Sequence, residues 1–168
     1  MSLLRTLASG ALALAGLGAL APAAFAVPSF EQGEIWAIYP REHGQTSLSY
    51  GQPETDNIAI TLMCRPGEGA VHAMLPVQST PSPEPASGAH FATRVRLRSG
   101  AVWGTYSARG TMTDMGAEVT DLRIPLSDPV LRAFRGNLTM GDAQGQWPAR
   151  TAAERRAITR FLGACSRR

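Results

Sequence analysis

The chain has 168 residues, 44% hydrophobic and 17% charged, a length that suits one domain with a real core. All 16 basic residues are arginine, set against 13 acids for a net charge of +3. So small an excess does not imply a polyanion, and no nucleic-acid partner is expected.

Residues 1–26, "MSLLRTLASGALALAGLGALAPAAFA", read as a secretory signal peptide. Arg5 supplies the positive start, residues 7–20 the apolar stretch, and Ala24-Phe25-Ala26 a small-x-small cleavage site. The apolar stretch is shorter than the roughly 18 residues of a membrane span, and no later stretch reaches that length. The expected mature domain is 27–168, with 15 arginines against 13 acids. It is expected to be periplasmic or secreted, with no transmembrane segment.

"EIWAIYP", ending at Pro40, and "TSLSYG" read as strands separated by the turn "REHGQ". "IAITLMC" alternates, placing Ile58, Ile60, Leu62 and Cys64 on one face, which should be the core. "RPGEG" turns the chain into "AVHAMLPV", a predicted hairpin. Residues 78–89, "QSTPSPEPASGA", read as a surface loop. Strand signals resume with "HFATRVRLRS", "AVWGTYSA" and residues 111–126, with turns expected near Gly100, Gly110 and Gly116. A short helix is predicted near 128–135: Asp128 caps it, Pro129 suits its first position, and Gly136 suits its exit. "NLTMG" and "GQWPA" read as a last hairpin. Thr151 and Glu154 then open a capping box for a C-terminal helix near 152–162, with Ala157, Ile158, Phe161 and Leu162 on its apolar side and Gly163 as its end. The fold class is mainly β: an antiparallel sandwich or open barrel with a short helix and a C-terminal helix.

The cysteines, Cys64 and Cys165, are 101 positions apart. An even count in an exported chain points to a disulfide. No histidine stands at metal-ligand spacing from either, and nothing in the sequence identifies a base that would activate a thiol. His43, His72 and His90 are scattered without i, i+2 or i, i+4 pairing, so no metal and no cofactor is expected. There is no G-x-S-x-G elbow, phosphate-binding glycine loop or H-E-x-x-H. A hydrolytic site built from His72 or His90 and distant partners would have to be assembled by the fold.

In "RVRLRS", Arg94, Arg96 and Arg98 project from one face of a strand while Val95 and Leu97 face the core. Three guanidinium forks on one surface suit carboxylates or phosphates. The alternative is a solvated face whose arginines pair with acids on neighbouring strands. Trp36, Trp103, Tyr39, Tyr50 and Tyr106 either line a ligand groove or, as a small β fold requires, fill the core.

"SYGQPETDNIAITLMCRPGEG" and the ending "RAITRFLGAC" resemble a group of small exported proteins of alphaproteobacteria. In these a cysteine strand follows a similar Tyr-Gly and Pro turn, and the chain ends in a helix carrying Phe-x-x-x-Cys. The resemblance implies the β fold and the Cys64–Cys165 staple. The late amphipathic helix is similar to that of the invasion-associated locus B family of exported β proteins. "ITLMCRPG" is similar to the cysteine strand of the lysozyme-inhibitor families, which implies a small disulfide-stapled barrel. The expected function is non-enzymatic binding in the periplasm, with an anionic envelope component or envelope protein as partner. The alternative is inhibition of a lysozyme-like enzyme.

Overall fold

A computed structural model describes residues 33–42, 44–77 and 82–167. The expected signal peptide, His43 and residues 78–81 of the Pro-rich loop lie outside the described residues. The strands are β1 (Ile35–Glu42), β2 (Gln45–Gly51), β3 (Ile58–Cys64), β4 (Ala70–Pro76), β5 (His90–Ser99), β6 (Val102–Thr113), β7 (Gly116–Pro125), β8 (Thr139–Gly141) and β9 (Gln146–Pro148). The helices are α1 (Pro129–Asn137) and α2 (Ala152–Cys165). All nine strands of the described residues join one antiparallel sheet in the order β1-β2-β3-β4-β7-β6-β5-β8-β9. It curls into a half-barrel around the helices, so the open-barrel reading holds and the sandwich does not.

Period-2 patterning explains which face is inside. Leu48 and Tyr50, Ile60 and Leu62, Val71 and Ala73, Val95 and Leu97, and Leu122 and Ile124 all point to the concave side and are buried. Of the four residues expected on the inner face of β3, Ile60, Leu62 and Cys64 are buried; Ile58, at the strand's start, is 39% exposed. α1 contributes Val130, Leu131 and Phe134 to the same core, and α2 contributes Ile158, Phe161 and Leu162. Trp36, Tyr50, Phe134 and Trp147 form its aromatic centre: Trp36 lies 5.2 Å from Tyr50 and 5.3 Å from Phe134, ring centre to ring centre.

The curl brings the two ends of the sheet together. The Trp36 indole N–H on β1 donates to the Trp147 carbonyl on β9 at 2.9 Å. The start of α2 seals the seam. Glu154, 3% exposed, accepts from Trp36 N at 3.3 Å, and its other oxygen accepts from Arg150 N and Thr151 N. The Thr151 hydroxyl accepts from Glu154 N in return, completing the predicted capping box. One buried carboxylate thus caps the helix and satisfies an edge N–H of the sheet.

Three glycine readings are corrected. Gly110 is not a turn: β6 continues through it, because the Phe91 ring lies over the space its side chain would fill. Gly136 does not end α1; the helix runs to Asn137, and Leu138 takes the left-handed position with φ 53°, its N–H donating to the Phe134 carbonyl. Gly163 does not end α2 either. The helix continues to Cys165, since Ala164 and Cys165 are still buried against the sheet. The hairpin turns expected at Gly100 and Gly116 are present, with φ 58° and 122°.

Candidate functional site

The cysteines are joined in a Cys64–Cys165 disulfide, with α-carbons 5.6 Å apart. Both are buried, and they tie the last turn of α2 to the end of β3. This bond, and the lack among the described residues of a helix long and apolar enough to cross a membrane, are compatible with an extracytoplasmic protein.

The arginines of β5 project from the convex face. The turn at Gly100 and Ala101 has two residues, so β5 and β6 pair without a break from Ser99↔Val102 to His90↔Thr111. Arg94 therefore faces Ser107, Arg96 faces Thr105 and Arg98 faces Trp103. None of these partners is an acid. Among the described residues the one ion pair is His72–Glu68, on β4 and the turn before it, so neighbouring carboxylates do not neutralise the β5 arginines by close pairing. The reading in which these arginines pair with acids on adjacent strands does not match this register.

Trp103 completes the surface. The residue is 42% exposed, with the Arg96 guanidinium carbon 4.6 Å and that of Arg98 5.2 Å from the ring centre. Stacking on an indole face orients the guanidinium planes without consuming their N–H donors. Arg98 is the most constrained of the three. With the Gln146 amide turned so that its oxygen faces the strand, that oxygen accepts from both terminal nitrogens of Arg98, at 3.0 and 3.3 Å. Arg94 and Arg96 are exposed and free to take a ligand. Further along the convex face, His90, Ala92, Ser107, Arg109, Asp121 and Arg123 line a shallow recess.

The aromatic residues divide. Trp36 and Tyr50 are core, as a small β fold requires, while Tyr39 and Trp103 are exposed. Tyr106 is half-buried, and its hydroxyl donates to Asp128 at 2.8 Å; the same carboxylate oxygen accepts from Val130 N and caps α1. Burial first, and the Asp128 carboxylate second, push this phenol well above its usual 10.0. Burial likewise raises Tyr50, against the opposing field of the Arg150 guanidinium.

The two described histidines, His72 and His90, have separate partners. His72 hydrogen-bonds Glu68 at 2.6 Å, which holds the Glu68 carboxyl below its usual 4.5. His90 hydrogen-bonds the Thr111 hydroxyl at 2.9 Å. Among the described residues no serine hydroxyl hydrogen-bonds either histidine, and no three metal-ligating side chains cluster. The association of Trp103 with the arginines was not anticipated. Its signal was the two-residue turn: counting outward from Ser99 and Val102 sets Arg98 opposite Trp103.

No protein-family model matches the chain, nor does any curated protein or solved structure.

Proposed function

We propose that the protein is a non-enzymatic periplasmic binding protein, exported by the 1–26 leader, that holds an anionic envelope component on its Arg94–Arg96–Arg98 face. The observation that carries this reading is the β5–β6 register, which sets three guanidiniums and an exposed indole side by side with hydroxyls, not acids, opposite. Successive same-face residues on a strand are about 6.7 Å apart, so the forks match ligands carrying several carboxylates or phosphates. Arg94 and Arg96 lie exposed, so a ligand reaches them without rearrangement of the fold, and the Trp103 face holds the Arg96 and Arg98 planes in place.

Co-sedimentation with isolated bacterial envelopes tests this proposal. The wild-type protein should pellet with the envelopes and be released as salt is raised. The variant with Arg94→Ser, Arg96→Ser and Arg98→Ser should lose about tenfold or more in affinity. Equal pelleting of the two proteins would overturn the assignment. A lysozyme turbidity assay examines the inhibitor alternative, and lysis unslowed at large molar excess of the protein rejects it.

A further inference from the structure

Among the described residues, part of the β5 edge has no ladder partner, and that edge gives the anionic ligand a shape. The two-residue hairpin makes Ser99 and Val102 a hydrogen-bonded pair. Backbone groups alternate in direction along a strand, so Leu97, Val95, Thr93 and Phe91 also turn their N–H and C=O toward β6. Arg98, Arg96, Arg94 and Ala92 turn theirs the other way. On that side β8 pairs with β5 at Arg98↔Gly141 and no further. Past that point the described residues offer the outward groups of Ala92, Arg94 and Arg96 no ladder partner.

Backbone and side chains therefore agree on one strip. The residues whose N–H and C=O face outward, Arg94 and Arg96, also carry their guanidiniums on the convex face. A strand added to this edge would place its own convex side chains directly opposite those arginines, within reach of cross-strand pairing. Carboxylates at those positions would be matched, whereas a second copy of β5 would set arginine against arginine. The edge is thus open to an acidic strand and closed to its own kind.

We infer that the partner is an extended acidic segment of another envelope protein, which adds to the half-barrel as a strand beside β5, with alternate Asp or Glu residues facing Arg94 and Arg96. The inference rests on the arginine face being the binding surface. It adds that recognition is through main-chain pairing, with side-chain charge setting the choice of partner.

Ala92→Pro separates the two ideas. Position 92 is exposed and its N–H points away from β6, so proline removes an edge donor while leaving the β6 ladder and every arginine in place. Phage-displayed random octapeptides panned on the wild-type protein should enrich sequences with acids at alternate positions. Synthetic copies should bind Ala92→Pro about tenfold more weakly, bind the triple serine variant as weakly, and slow amide exchange at Arg94. An unchanged melting temperature and circular dichroism spectrum would show that the proline variant is folded; if they change, N-methylation of alternate backbone nitrogens in the peptide tests the same pairing without touching the protein. If envelope binding is lost in the triple variant but kept in folded Ala92→Pro, or if N-methylated peptides bind as well as the parent, the strand-addition inference falls and the anionic face stands. If envelopes bind the triple variant normally, both fall. Failure to enrich any acidic alternating peptide also overturns the inference.

Discussion

Reducing the Cys64–Cys165 bond should destabilise the protein by about 4.7 kcal/mol, the chain-entropy value for a closed loop of about 100 residues, and here the separation is 101. The structure makes this a clean perturbation. Both sulfurs are buried, and reduced thiols pack as small apolar groups, so no charge or strong donor is left without a partner. Ile158, Phe161 and Leu162 still hold α2 on the sheet after reduction, so the native state changes little and the unfolded state gains freedom. Urea unfolding with and without a strong reductant measures the effect. With a slope of about 2 kcal/mol per molar, the midpoint should fall by about 2 M, and the slope should rise because the unlinked chain exposes more surface. A loss under about 1 kcal/mol with an unchanged slope would refute the reasoning, since a staple that does not constrain the unfolded chain cannot be the clamp described here.

Glu154→Gln keeps a carbonyl for the capping box but turns an amide donor toward Trp36 N–H, and should cost about 2 kcal/mol in urea titrations while speeding Trp36 amide exchange. An unaltered exchange rate would mean that the β1–β9 seam does not depend on this carboxylate. Tyr106→Phe should cost about 1.5 kcal/mol at neutral pH through the lost hydrogen bond to Asp128. The folded-state value of this phenol is raised, so its stabilisation is complete below pH 10.0 and is lost as pH rises from there through the higher folded-state value. Wild-type and variant stabilities should therefore converge above pH 10.0, and curves that stay parallel there would contradict the assignment.

Much of the local structure was legible because its causes are local. The alternation in "IAITLMC" and "HFATRVRLRS" marks β3 and β5 residue for residue, since period-2 burial is written in the order of side chains. Asp128 with Pro129, and Thr151 with Glu154, announce the starts of both helices, because capping needs only residues two or three positions apart. The outward projection of Arg94, Arg96 and Arg98 follows from the same periodicity, and the disulfide from an even cysteine count behind an expected signal peptide. Gly110 and Gly163 permit a break that their surroundings do not take up: the Phe91 ring lies over Gly110, and Ala164 and Cys165 are buried beyond Gly163. No packing of this kind surrounds Gly136, which α1 passes by one residue.

Only the tertiary structure decided which strands are neighbours and what each surface faces. Composition cannot say that β4 pairs with β7, that β1 closes against β9 through Trp36 and Trp147, or that Glu154 lies buried in that seam. Nor can it say that hydroxyls and an indole stand opposite the three arginines, or that β8 stops short, leaving the Arg94 edge without a ladder partner among the described residues. A single sequence fixes the character of each segment through forces acting over a few residues. The partners are chosen by the one arrangement that buries all the apolar faces at once, and that is a property of the whole sheet.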